Sequence, residues 1–354
     1  MKNKYTCALK RILLFALAVV MALALAAMLL FGGELRTMAS IERVDEDVDL
    51  FTMTYKGDYA LDEFLEEGAS SDQELVEFIV RQVLKGVPLE FDLPDLGCST
   101  YAAALADGTQ VFGRNFDMYD SPAMLLRTKP KDGYASISMV NLAYIGYNAA
   151  YLPTNLASSI LTLAAPYVPL DGVNEKGLAV GVLLIDTEPT NQQTDKVDVT
   201  TTSAIRMLLD RAATVDEAIE LLQRYDMHAS AGSCYHFHIA DLSGRSVVVE
   251  YIDNVMHVVE SRAATNFLLT PGDYDFGGGE DRYAVLESTL KRNGGVFADT
   301  TAAMALLEAV SQEPREGKRS WTQWSCVYNQ SMASVEIAMD MHYGRIYRFA
   351  LSEQ

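Results

Sequence analysis

Two strand-like runs, Ser99–Leu105 and Gln110–Phe112, flank the dipeptide Asp107-Gly108. Such a pair predicts a β-hairpin, and a hairpin brings residues far apart in number side by side. The first arm carries Gly97-Cys98-Ser99-Thr100 and the second leads into Gly113-Arg114-Asn115-Phe116-Asp117. A thiol thus precedes an arginine by 16 residues and an aspartate by 19, across one turn. If the Gly97–Cys98 bond is cut, Cys98 becomes an N-terminus with a nucleophile and an amine base on one residue.

The chemistry open to such a residue is specific. A free thiol has a pKa of about 8.5 and an α-amine one of about 7.7–8.0, so both are poised near neutral pH. The amine takes the thiol proton, directly or through water. The thiolate attacks a carbonyl, and the ammonium protonates the leaving amine. A cation such as Arg114 favours the thiolate. Asp117 can hold the ammonium, and the oxyanion needs donors such as an asparagine side chain and a backbone N–H. None of the five histidines has a motif context that supports a cysteine-protease base. His236 and His238 lie two apart on a predicted strand and share a face, but no third ligand accompanies them. They read as partly buried strand histidines, and no metal or cofactor is expected.

Ahead of the hairpin, Lys2, Lys4, Lys10 and Arg11 precede an unbroken apolar run, Ile12–Phe31. A helix of that length spans about 30 Å, one hydrocarbon core. Residues 1–11 then read as a basic cytoplasmic tail and 12–31 as a transmembrane anchor or signal segment. The acidic residues beyond the run (Glu34, Glu42, Asp45, Glu46, Asp47) favour an exported body. A cleavable signal is the rival reading, with Ala24-Leu25-Ala26 or Thr37-Met38-Ala39 as cut sites. The expected location is a membrane-anchored chain with an extracytoplasmic catalytic domain, secreted if the segment is removed. The net charge of −20 argues against nucleic acid and against docking of the body on anionic lipid. Only Cys98, Cys234 and Cys326 follow the run, which is no disulfide framework. Cys234 and Cys326 read as buried small hydrophobes, with a bridge between them left open.

Residues 33–97 carry an acidic, mixed stretch and then Ser71-Asp72-Gln73-Glu74, a capping box. It opens a predicted helix with Leu75, Val76, Ile79, Val83 and Leu84 at helical spacing, stopped by Gly86. From Cys98 the texture changes. Strands are predicted at Ser136–Val140, Leu178–Ile185, Tyr235–Ala240, Ser246–Tyr251 and Val255–Val259. Further strands are predicted at Cys326–Tyr328, Val335–Asp340 and Arg345–Leu351. Helices are predicted at Ser158–Ala165, Thr202–Ala212, Val215–Tyr225, Tyr283–Leu290 and Thr301–Ser311. Asn174-Glu175-Lys176-Gly177 is a turn. This order suggests antiparallel sheets with helices packed outside. The aromatic stretch 118–170, with Tyr144, Tyr147, Tyr151 and Tyr167, is mostly core, and part of it is expected to line an acyl pocket.

Cys98-Ser99-Thr100, Gly113-Arg114-Asn115-Phe116-Asp117, Asp171-Gly172-Val173-Asn174-Glu175-Lys176-Gly177-Leu178 and Ala264-Thr265-Asn266 occur in this order. In this the chain resembles the linear amide C–N hydrolases of the choloylglycine hydrolase family, which includes penicillin V acylases and acid ceramidase. The resemblance covers roughly residues 98–350. It implies an α+β fold, the four-layer αββα sandwich of N-terminal-nucleophile hydrolases. It matches Cys98 to the nucleophile, Arg114 and Asp117 to its partners, Asn266 to the oxyanion asparagine and Arg282 to a later active-site arginine. At the spacing where bile-salt and penicillin members carry an asparagine or tyrosine, this chain has Leu184, which argues against bile-salt specificity. The segment before Cys98 looks like the acid-ceramidase arrangement, a pro-segment (32–97) cut just before a catalytic domain (98–354). The expected function is hydrolysis of a linear, non-peptide N-acyl amide with an apolar acyl group. The alternatives are acyl transfer to an amine and an inactive, membrane-tethered acyl-ligand binder. Oligomeric state is not readable from the sequence.

Overall fold

The computed structural model describes residues 13–19, 21, 31–91, 97–314 and 320–352. Residues 12, 20 and 22–30 of the apolar run lie outside them, so most of the expected anchor does too. Among the described residues no helix is long and apolar enough to cross a membrane.

Two sheets make up most of the fold. In the larger, nine strands lie side by side in chain order. They are Glu42–Asp45, Val48–Thr54, Ala123–Thr128, Ser136–Asn141, Pro169–Asn174, Ala179–Ile185, Cys234–Ala240, Ser246–Ile252 and Val255–Glu260. The smaller sheet runs Ala263–Ala264, Gly97–Leu105, Gln110–Met118, Trp321–Asn329, Ser334–Met339, Ile346–Ala350, with Val296–Phe297 beside Gly97–Leu105. The predicted hairpin is its centre. Gly108 takes φ +89° at the tip, a conformation that suits glycine. The register sets Cys98 opposite Phe116, Thr100 opposite Arg114 and Gly97 opposite Asp117.

Side-chain alternation sorts this hairpin into two faces. Cys98, Ala102, Phe112 and Phe116 join the core shared with the larger sheet. Tyr101, Ala103 and Val111 join a second core with Leu286 and Leu307 of the helices Glu280–Arg292 and Thr300–Ala309. Thr201–Arg211 packs on strands Pro169–Asn174 and Ala179–Ile185 of the larger sheet. The two sheets meet where Gly97–Leu105 faces Ala179–Ile185. Asn174 is the turn residue expected, its Oδ1 accepting from the Lys176 and Leu178 N–H groups at 3.0 Å each.

The acidic stretch after residue 40 carries no clear period, yet it folds. Val48–Thr54 pairs in parallel with Ala123–Thr128, from Leu50 opposite Ala123 to Thr54 opposite Arg127. The helix opened by Ser71 runs Asp72–Gln82, the Ser71 side chain accepting from the Glu74 N–H. Phe64, Phe78 and Tyr167 form a triad of edge-on rings with centroids 5.1–5.9 Å apart. The Tyr59 hydroxyl donates to Asp210 Oδ2 at 2.5 Å and Tyr167 donates to the Tyr59 carbonyl at 2.6 Å. Residues 41–91 thus complete the larger sheet and its core.

A polar bridge crosses between the sheets. His238 Nδ1 lies 2.7 Å from Thr100 Oγ1, and its Nε2 lies 2.7 Å from Ser246 Oγ. Burial, with the nearby His236 and Arg114, lowers its pKa from 6.5 to about 3. The unfolded chain takes up this proton near pH 6.5, and the folded chain does so only near 3. Stability from this residue is therefore whole above pH 6.5 and falls below it, by up to about 1.4 kcal/mol per pH unit. Urea midpoints between pH 6.5 and 4 are expected to fall less steeply in His238→Gln than in the wild type. Equal slopes would refute this assignment.

Candidate active site

The five sequence-predicted residues gather near the Gly97–Cys98 peptide bond, Cys98, Arg114 and Asp117 on the hairpin, Asn266 in the segment after Ala263–Ala264 and Arg282 on the helix Glu280–Arg292. Cys98 and Arg114 share the inner face of the hairpin and both are fully buried. Burial pushes the Cys98 thiol up to about 11, with Asp117 adding to it. Arg114, Arg282 and the Asp117 backbone N–H oppose that rise. Arg114 Nε lies 3.5 Å from Asp171 Oδ2, but none of its three nitrogens has a hydrogen-bond partner. Burial works against the guanidinium charge, while Cys98, Asp171 and Asp117 hold it in place. A buried donor without an acceptor costs about 1–3 kcal/mol, so negative charge forming at the neighbouring sulfur is favoured.

Asp117 sits on the other face, beside Gly97 rather than the thiol. A side chain built on Gly97 would lie 3.2 Å from Asp117 Cβ and 2.7 Å from Gln312 Nε2. A larger residue there would displace the Gln312 amide and crowd the Asp117 carboxylate. The Asp117 carboxylate accepts from Gln312 Nε2 at 2.5 Å, Thr322 Oγ1 at 2.6 Å and Arg282 Nη1 at 3.3 Å. Arg282 Nη1 also donates to the Cys98 carbonyl at 2.6 Å, and its Nη2 to Asn266 Oδ1 at 2.9 Å. Asn266 Oδ1 accepts the Cys98 N–H at 2.8 Å, and Asn266 Nδ2 donates to the Leu184 carbonyl at 2.9 Å. Asn266 therefore turns its oxygen to the cysteine nitrogen and keeps one N–H of Nδ2 in reserve.

A cleft of about 800 Å³ opens at Gly97, lined among others by Leu184, Asp186, Asn266, Asp281, Arg282, Val285 and Gln312. None of residues 118–170 lines it, contrary to the acyl pocket expected from that stretch. Tyr144, Tyr147 and Tyr167 are consumed by the core, and Tyr151 lies at the surface. Leu184 is at the cleft, as its spacing implied, and contributes its carbonyl to Asn266. Gln312 and Thr322 belong to no sequence motif, so their place at Asp117 was not legible. Asp171 belongs to the segment Asp171-Gly172-Val173-Asn174, and its pairing with Arg114 has no signal in the sequence. His236 and His238 are fully buried, more so than the sequence suggested. Cys98, Cys234 and Cys326 are free thiols. Among the described residues no group of three or more His, Cys, Asp or Glu can hold a metal ion.

One consequence is measurable on the uncut chain. With a thiol pKa of about 11, alkylation of Cys98 at neutral pH should be slow. It should rise about tenfold per pH unit toward that value. Peptide mass mapping after timed iodoacetamide treatment reads the rate. A plateau reached below pH 9 would contradict the assignment.

The sequence pattern of linear amide C–N hydrolases, choloylglycine hydrolase family, matches residues 98–273, beginning at the cysteine. A penicillin V acylase from Pectobacterium atrosepticum is 34% identical over 103 residues, covering 26% of this chain and 27% of that protein. The aligned stretch thus spans about a quarter of that relative. A mutant conjugated bile acid hydrolase from Clostridium perfringens has a similar fold, with TM-score 0.54 and 16% identity over 73% of this chain and 93% of its own. A variant of the same hydrolase gives TM-score 0.53 at equal identity and coverage.

Proposed function

We propose that this chain, a relative of the linear amide C–N hydrolases of the choloylglycine hydrolase family, cleaves a linear amide with Cys98 as an N-terminal nucleophile. The observation that carries the reading is the Cys98 nitrogen held 2.8 Å from Asn266 Oδ1, with Arg114 near the thiol and Asp117 beside Gly97. In the first event Cys98 Sγ attacks the Gly97 carbonyl carbon. The C–N bond breaks, the amine leaves with a proton, and a thioester forms. Water hydrolyses the thioester to a Gly97 carboxylate and restores the thiol. The freed α-amine keeps Asn266 Oδ1 as acceptor and has Asp117 close by as counter-charge.

Turnover then follows the same chemistry on a substrate amide. The α-amine takes the thiol proton, and the thiolate, favoured by the open Arg114 donors, attacks the carbonyl. The remaining N–H of Asn266 Nδ2 and a backbone N–H receive the oxyanion. The ammonium protonates the departing amine, and water, deprotonated by the same amine, releases the acid. Arg282 holds the Cys98 carbonyl and Asn266 in register. The apolar part of the cleft, with Leu184, Val285, Ala309 and Val310, supports an apolar acyl group. The helices packed on the outer side of each sheet support a four-layer αββα arrangement. The apolar run 12–31 supports membrane attachment with the catalytic body outside the cytoplasm.

Intact-mass analysis of the purified protein tests the reading, together with hydrolysis of a panel of N-acyl amides, bile-salt conjugates and penicillin V. The expected result is scission between Gly97 and Cys98 and release of acid from at least one amide. Hydrolysis by a chain that stays whole at residue 97 would refute the activation step.

A further inference from the structure

We propose that His236, braced by Glu250, is a positioning residue that sets the place of Asn266 relative to Cys98. The proposal rests on the amidase reading for its catalytic consequence only. His236 lies on Cys234–Ala240 of the larger sheet and is fully buried, as is Glu250 on the neighbouring strand. Its Nε2 is 2.8 Å from the Thr265 carbonyl, and its Nδ1 is 3.3 Å from Glu250 Oε1. A carbonyl only accepts, so Nε2 carries a proton and donates it.

Thr265 directly precedes Asn266, in the segment that follows the smaller sheet's strand Ala263–Ala264. Glu250 grips the far side of the same segment. Its carboxylate accepts the N–H of Leu269 at 2.6 Å and of Thr270 at 2.9 Å. The next strand adds the Leu184 carbonyl on Asn266 Nδ2. The Asn266–Gly278 bridge and Thr265 Oγ1, which donates to the Gly279 carbonyl, tie this segment to the start of the helix bearing Arg282.

This linkage matters because Asn266 and Cys98 come from different parts of the chain. Cys98 is fixed by its hairpin. Asn266 sits where the segment 265–279 holds no long strand, so its position depends on these side-chain contacts together with the backbone bridge to Gly278. His238, two residues along, binds Thr100 on the nucleophile strand. One strand of the larger sheet therefore holds both the nucleophile strand and the asparagine segment. Misplacing a catalytic group by about 1 Å can cost on the order of 100-fold in rate.

The test uses the full processed protein and three variants. His236→Leu removes the donor, His236→Gln keeps an N–H donor on a similar reach, and Glu250→Gln removes the brace's charge. In His236→Leu, kcat is expected to fall about 10- to 100-fold with KM within about twofold. His236→Gln should recover a large part of the loss. Hydrogen exchange followed by mass spectrometry should show faster exchange across 264–270, with the hairpin 97–118 still protected. Unchanged kcat and unchanged exchange in 264–270 would overturn the proposal. So would faster exchange spread evenly over both sheets, which marks a purely structural residue. If His236→Leu fails to fold, Glu250→Gln carries the same two readouts, with a smaller loss expected. If the wild type hydrolyses no amide, the amidase reading fails, and local exchange still decides whether His236 holds Asn266.

Discussion

Replacing Cys98 by alanine is expected to leave the chain whole at residue 97 and to lower amide hydrolysis by on the order of 10⁴-fold or more. Both outcomes come from one atom. In the proposed mechanism the sulfur is the nucleophile toward Gly97 in scission and toward the substrate in turnover, and among the described residues no other free thiol lines the cleft. Cys234 and Cys326 are buried, and burial raises both of their pKa values. Neither lines the cleft at Gly97. Cys98→Ser separates size from chemistry, because the hydroxyl nearly fits the site but ionises far less readily. It is expected to be cut slowly and to turn over poorly. Intact mass reads scission, and acid release reads turnover. A Cys98→Ala chain with full hydrolysis would place the catalyst elsewhere.

The second large effect concerns the piece before the cut. After scission, residues before Cys98 are expected to stay bound to 98–354, and a chain expressed from residue 98 alone is expected to be insoluble. Phe64, Leu75, Phe78 and Ile79 are at most 1% exposed. Burying each contributes about 1.5–3 kcal/mol, so together they contribute roughly 6–12 kcal/mol as an upper estimate. That matches the whole net stability of a typical domain, about 5–15 kcal/mol. Loss of the piece would also strip Val48–Thr54 from Ala123–Thr128 and leave a largely buried strand as an open edge. Asp210 and its buried partner Arg206 would lose the Tyr59 hydroxyl. Size-exclusion chromatography of the processed protein, with both pieces identified by mass, tests this. Elution of 98–354 as a soluble, active species free of the first piece would refute it.

The helix at Asp72–Gln82 was readable because its cap and its apolar spacing act over one or two turns. The same holds for Thr201–Arg211 and Glu280–Arg292, each found within a few residues of its expected bounds. The strand Val48–Thr54 was not readable. Its sequence, Val48-Asp49-Leu50-Phe51-Thr52-Met53-Thr54, sits in an acidic stretch; one partner is the short strand Glu42–Asp45, and the other lies more than 70 positions away. A parallel pairing of that span leaves no local signature. The aromatic stretch 118–170 is mostly core, as its composition suggested, but none of it lines the cleft, because a tyrosine suits a core and a pocket wall alike and only packing separates the two.

What the sequence by itself determined is the local chemistry of Cys98. The hairpin register follows from Asp107-Gly108 and strand alternation, and with it the placement of Arg114 on the thiol's face. The family resemblance of the later segments pointed to Asn266 and Arg282. Only the tertiary structure decided how these groups face one another. Asp117 flanks the Gly97–Cys98 bond because it lies on the hairpin face opposite the thiol. Asn266 offers its oxygen to the Cys98 nitrogen because Leu184, from another sheet, takes its amide group. Gln312, Thr322 and His236 enter through folding alone. Their contacts close over long chain separations, where no periodicity or spacing records which atoms will meet.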